Sequence, residues 1–225
     1  MLLATNWNEW VGIGTLSLAG VTAVTALVAA FQEPLRRYFI RAKLSMEIRL
    51  APPDSTQIDG TDPRTGRFVT KLLYLRIRVT HTGGKAAENT EILPSMLWRR
   101  NDQREWAVVQ TFLPLSLSWS HFQPRTPTIR VPVGLFRHCD LGRFQPDTSG
   151  GFVFVFDTFI QPNPVADGLP PNLLLPGDYR IELMLSSDNA KPITKRWNLS
   201  FSGPWSDDEQ TLLSQVQLTE VRQGV

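Results

Sequence analysis

Two hydrophobic patterns divide this chain. From Val11 to Phe31, VGIGTLSLAGVTAVTALVAAF, 21 consecutive residues carry no charge, and a helix of that length, rising ~1.5 Å per residue, matches the ~30 Å hydrocarbon core of a bilayer. From Leu44 onward the period drops to two. Leu44, Met46, Ile48 and Leu50 alternate with Ser45, Glu47 and Arg49, and Leu73, Leu75, Ile77 and Val79 alternate with Tyr74, Arg76 and Arg78. Successive side chains of a strand point to opposite faces, so this pattern predicts sheets that cover a core with one face.

Strands are accordingly expected at Leu44–Leu50, Phe68–Val79, Glu88–Trp98, Ala107–Phe112, Thr128–Val133, Gly151–Phe156, Gly177–Leu185 and Ile193–Phe201. A Gly-containing turn at Thr82–Lys85 suggests that the second and third form an antiparallel pair. Ala51–Arg67 reads as loop or turns. Segments of this number and size favour two packed antiparallel sheets. In the tail, Ser206 is placed to cap a short helix over Asp207–Val216, with Glu209 reciprocating and the last residues frayed. The organisation is then a leader (1–10), a transmembrane helix (11–31), a basic juxtamembrane segment (32–43), a β-sandwich domain (44–203), and a C-terminal helix and tail (204–225).

Charge sharpens the first of these assignments. Met1–Trp10 contains no Lys or Arg, unlike the start of a cleaved signal peptide, whereas Arg36, Arg37, Arg41 and Lys43 follow the apolar run closely. That bias puts the N-terminus outside and the large C-terminal part in the cytoplasm. The four basic side chains are the expected contacts with anionic lipid, each worth on the order of 1 kcal/mol near the surface. Thr15, Ala19 and Ala23, spaced by four, could also let a second membrane helix approach. With +2 overall, and Glu9 and Glu33 ahead of Lys43, residues 44–225 are formally neutral. A neutral body has no electropositive field for nucleic acid. The single cysteine, Cys139, rules out an internal disulfide framework.

The run LYLRIRVTHTGGKAAENTEIL, Leu73–Leu93, resembles the strand–glycine turn–strand segment of immunoglobulin-like bacterial modules. Val79, Thr82, Gly83, Ala87 and Asn89 stand on the pattern, and His81 stands where Asn is usual. Leu175–Gly203 resembles the terminal hairpin of the same kind of domain. With the single span, the chain is similar to uncharacterised bacterial membrane-anchored proteins carrying such a sandwich. The resemblance implies a bacterial inner-membrane location and an architecture, but no reaction. Gly83 or Gly84 is expected to take positive φ in the turn, and Asn89 to bond local backbone.

Candidate chemistry is sparse. His138-Cys139-Asp140 is the one local cluster of reactive side chains, but neighbours on a strand face opposite ways, and the segment reads as turn or sheet edge. Asp59-Gly60-Thr61-Asp62 lacks the ligand succession of a calcium loop and reads as a hairpin turn. Trp98, Arg99, Arg100, Arg104 and Trp106 are interleaved with Asp102 and Glu105, which suits a solvated hairpin better than a base-stacking platform. No catalytic residue, metal or cofactor is assigned. The expected function is binding or organisation of a protein partner at the membrane, with Trp119, His121, Phe122 and Arg125 as contact residues. Two alternatives are an extracytoplasmic envelope-binding module and a hydrolase or metal-dependent enzyme whose acidic, His and Cys groups converge on folding.

Overall fold

The computed structural model describes residues 21, 22, 24–26, 28, 29, 41–62, 64–162 and 170–221. The chain divides into two units, Met1–Arg41 and Ala42–Val225. In the first, the described positions between 21 and 29 are helical, with Val21, Val24 and Val28 exposed. The Thr25 hydroxyl donates to the Val21 carbonyl at 2.6 Å. Most of the expected 11–31 span, together with Arg36 and Arg37, lies outside the described residues. Among those described, no helix is long and apolar enough to cross a membrane.

The second unit is mainly β, with two antiparallel sheets. The first contains β1 (Leu44–Ile48), β2 (Ser55–Thr61), β3 (Phe68–His81), β6 (Ser118–Trp119), β8 (Phe136–Pro146), β9 (Phe152–Phe156) and β10 (Leu173–Leu174). The second contains β4 (Ala87–Arg100), β5 (Trp106–Val108), β7 (Ile129–Val131), β11 (Gly177–Ser186), β12 (Ile193–Phe201) and β13 (Val216–Val221). In the first sheet β3 and β8 are central. β1 and β2 occupy successive halves of the outer side of β3, and β6 and β9 occupy successive halves of the far side of β8.

Alternation does what it predicts on both sheets. Leu73, Leu75, Ile77 and Val79 of β3 are fully buried, as are Tyr179, Ile181, Leu183 and Leu185 of β11, and both rows join one core. Phe144, Phe152, Phe154, Phe156 and Phe201 form its aromatic centre, Phe201 coming from the second sheet.

A register shift opposite Leu75 and Arg76 places an extra residue in β8, so that Cys139, Leu141, Gly142 and Phe144 are all buried. Glycine is required there: a Cβ on Gly142 would lie 2.4 Å from the Val155 carbonyl oxygen and 2.5 Å from the Phe154 ring. Pro94, which cannot donate to a ladder, is accommodated by a second shift in β4. The adjacent Ser95 hydroxyl donates to Glu182 Oε1 at 2.8 Å.

Several expectations change. β3 and β4 do not pair with each other; β3 lies between β1/β2 and β8, whereas β4 pairs with β11, β5 and β7 in the other sheet. The turn between them therefore crosses between layers. Neither Gly83 nor Gly84 in it has positive φ; the left-handed residue is Asn89, φ 48°, inside β4 where its register against β7 shifts. Asn89 donates to the Asp188 carboxylate at 2.7 Å rather than to local backbone. His81, fully buried, braces the turn by donating from Nε2 to the Lys85 carbonyl at 2.7 Å.

Ala51–Arg67 contains a strand, β2, because Ile58 and its neighbours complete the unpaired half of β3. Asp59, Gly60 and Thr61 belong to that strand, and Asp62 starts the turn by accepting from Arg64 N–H at 2.8 Å. The tail helix, α1, spans only Glu209–Ser214. Its cap is Asp208, not Ser206, and the Glu209 carboxylate accepts from Gln57 N–H at 2.7 Å instead of closing a capping box. Val216–Val221 after it form β13, which extends the second sheet along β12; the last four residues, expected to be frayed, lie outside the described ones. The Leu175–Gly203 hairpin is present as the β11–β12 pair.

Candidate functional site

Where β8 carries its inward row of Cys139, Leu141 and Phe144, its outward row is charged. Antiparallel pairing sets Arg78 opposite His138 and Arg76 opposite Asp140, while β6 sets Ser118 opposite Asp140. The short segment between β1 and β2 adds Asp54, whose side chain is 1% exposed. Asp54 Oδ1 accepts from Arg78 Nε at 3.2 Å and Nη2 at 2.9 Å, and from His138 Nε2 at 2.8 Å. Beside it, Asp140 Oδ1 accepts from Arg76 Nε at 3.1 Å and from the Ser120 hydroxyl at 2.6 Å. A third carboxylate, Asp157, accepts from Arg125 Nη2 at 2.7 Å and faces Arg143 Nη1 at 3.5 Å.

This row contains Ser, His and Asp, yet the Ser120 hydroxyl is committed to a carboxylate rather than to the His138 ring. It therefore lacks the nucleophile–base hydrogen bond on which acyl transfer depends. His138-Cys139-Asp140 is not a turn or a sheet edge, since β8 has neighbours on both sides. As strand geometry requires, Cys139 points inward and away from its two neighbours in sequence. It is completely buried, its Sγ donating to the Ser118 carbonyl at 3.3 Å. Burial pushes its thiol well above the ordinary 9.0, with smaller contributions in the same direction from Asp140 and Asp157. Cys139 is expected to be silent toward an aromatic disulfide reagent in the native protein and to react fully in urea; labelling without unfolding would contradict this placement. Among the described residues, no group of three or more His, Cys, Asp or Glu could hold a metal ion.

The expected contact residues separate into two kinds. Trp119 is 2% exposed and donates from its indole N–H to the Pro127 carbonyl at 3.0 Å, so it anchors the loop from beneath and is not available to a partner. Arg125 is a clamp: besides Asp157 it donates to the Ser118 hydroxyl at 2.6 Å and to the Thr158 carbonyl at 3.3 Å. It thereby ties the 120–125 loop to residues 157 and 158. A backbone bond from Phe159 N–H to the Ser116 carbonyl, 2.7 Å, brings in a third segment. His121, with φ 64°, and Phe122 remain exposed on the clamped loop.

The segments that Arg125 and this bond join also carry Leu113, 46% exposed, Phe159, 40%, and Ile160, 62%. Sequence reasoning missed these three, because nothing local to them shows that Arg125 and the Phe159–Ser116 bond tie their segments together. Of the residues expected at a membrane surface, Arg41 and Lys43 are described, and both are exposed.

Burial also raises the Asp157 carboxyl above its ordinary 3.8, opposed by Arg125 and reinforced by Asp140. A carboxyl that holds its proton more tightly when folded loses stability as pH rises from the unfolded value through the folded one. The native protein should therefore lose more stability between about pH 3.5 and pH 6 than Asp157→Asn does, in urea unfolding at both ends of that range. Identical slopes would contradict it.

On the other sheet, Trp98 and Trp106 are not open stacking platforms. Arg196 covers Trp98 at 5.3 Å and Arg180 covers Trp106 at 4.4 Å. The two arginines are held in turn by Glu182 at 2.7 Å and by Asn198 at 3.0 Å.

No protein-family model matches this chain, and neither a curated protein nor a solved structure does.

Proposed function

We propose that this chain is a membrane-anchored, immunoglobulin-like β-sandwich that binds a protein partner through the apolar rim around Arg125. The observation that carries the reading is the exposure of Leu113, Phe122, Phe159 and Ile160 on segments that the Arg125–Asp157 pair and a backbone bond tie together. Large apolar side chains on segments tied together by an ion pair, in which Asp157 is buried and Arg125 partly exposed, lose little freedom on association, which favours protein contact over catalysis. The anchor is supported by the uncharged run 11–31 and the basic flank behind it. The resemblance supports a bacterial inner membrane, and the charge bias a body in the cytoplasm; reporter fusions at the two ends test that orientation.

The binding reading is tested by a photo-crosslinking amino acid placed at Phe122 or at Ile160 in the full chain, irradiated in native membranes. Both sites are expected to capture the same protein, Phe159→Asp to abolish the adduct, and a crosslinker at Phe68 to miss it. Absence of an adduct from both rim positions would refute the assignment.

A further inference from the structure

The start of β1, the end of β3 and the start of β8 lie side by side at one end of the first sheet. Leu44 pairs with His81, the Lys43 carbonyl accepts from Thr82 N–H at 2.9 Å, and the Leu135 carbonyl accepts from His81 N–H at 3.0 Å. Two strand spacings, ~10 Å, therefore separate the turn preceding β8 from the point where the chain joins the β body. That turn is PVGLF, residues 132–136, closed by Leu135 N–H donating to the Pro132 carbonyl, with Gly134 at φ 73°.

A tight surface turn is ordinarily polar. This one presents Val133, 50% exposed, Leu135, 45%, and Phe136, 48%. Phe136 is held in place by the Arg78 guanidinium, 4.9 Å from its ring centre. At this end of the sheet stand Lys43, Lys85, Arg130 and Arg137, and the carboxylates there are each paired with an arginine: Glu88 with Arg130 at 3.0 Å, and Asp54 and Glu47 with Arg78 at 2.9 and 4.0 Å.

Apolar side chains at a tip with basic residues around them match the interfacial layer of an anionic bilayer, where the rings and branched chains sit among the acyl carbons and the cations among phosphates. Chain length agrees. Phe31, the last residue of the uncharged run, is twelve positions before Lys43, a separation of at most ~40 Å when extended and ~18 Å when helical. A second exposed apolar pair on these strands, Phe68 and Val69, is at the opposite end of β3, roughly 40 Å away at ~3.3 Å per residue.

We propose that the Pro132–Phe136 turn is a second membrane contact, seated in the interfacial layer of the bilayer that holds the N-terminal segment. It rests on the anchoring reading and adds an orientation: the β body stands with the start of β8 on the lipid and the Phe68 hairpin pointing away from it.

The test uses the full chain, carrying Cys139→Ala and a single environment-sensitive fluorophore on Leu135→Cys or on Val69→Cys, reconstituted into vesicles of phosphatidylcholine with phosphatidylglycerol. The Leu135 probe should emit to the blue and be quenched by shallow nitroxide lipid at least about twofold more than the Val69 probe, the difference shrinking when phosphatidylglycerol is omitted. Flotation that fails for the chain itself would remove the anchor and this contact together. A chain that floats with its Leu135 probe as wet as its Val69 probe would overturn the contact alone, and so would a Leu135 probe shielded from water but untouched by the nitroxide, which would mark a protein surface.

Discussion

Phe144→Ala should cost about 3–5 kcal/mol, the range for removing a fully buried aromatic side chain whose neighbours cannot close over the space. Phe144 is 1% exposed, with ring centres 4.9 Å from Phe154, 5.7 Å from Phe152 and 5.3 Å from Phe201. Phe154 and Phe152 belong to the neighbouring strand of the same sheet, whereas Phe201 belongs to β12 in the other. Truncation therefore removes contacts within a layer and across layers together. The register shift in β8 is held open by Gly142 directly against Phe154, so the backbone here has little freedom to collapse. For a body of this size the change corresponds to a fall in melting temperature of roughly 10 °C or more. Phe68→Ala is the control: at 61% exposure it should move stability by less than about 0.5 kcal/mol. Equal losses in the two variants, measured by urea unfolding, would show that the aromatic centre is not the core.

Asp54→Ala should cost a similar ~3–5 kcal/mol, for a different reason. The carboxylate is buried, and one oxygen serves two Arg78 nitrogens and the His138 ring. Its removal leaves the Arg78 side chain, only 18% exposed, without its closest counter-charge. Asp54→Asn separates charge from shape. It retains an acceptor oxygen toward Arg78 and His138 and changes only Oδ2, which makes no hydrogen bond within the chain. A loss on the order of 1–2 kcal/mol is expected for it. Asp54→Ala combined with Arg78→Met should be less destabilised than the sum of the single changes, because the stranded charge is then gone. Additive losses would mean that the pair is not coupled.

The patterned strands are legible in the sequence: β1, β3, β11 and β12 lie close to where the period-two pattern puts them, β9 where a short all-apolar run does, and the two rows of apolar residues meet in one core. Short pieces are not. β2 contains Asp59-Gly60, poor strand residues, and exists because half of β3 would otherwise be unpaired. β13 looks like a frayed tail for the same reason. Trp119 and Arg125 stand out in the sequence as candidate contacts, yet Trp119 is buried and Arg125, though partly exposed, is spent on bonds to Ser118, Asp157 and Thr158.

Alternation of side chains along a strand is a local property, so residues 44–221 by themselves determined that the body is built of sheets and which face of each strand is buried. The uncharged run and its basic flank are equally local. Which strands are neighbours is a long-range choice among segments of similar pattern, and local sequence holds no term that distinguishes them. That is why β3 and β4, adjacent in the chain and both well patterned, lie in different layers. The same holds for the charged row on β8: only the fold brings Arg78 and His138 to one oxygen of Asp54, and only Arg125, reaching Asp157 and Thr158, ties the loop of Phe122 to the segment of Ile160.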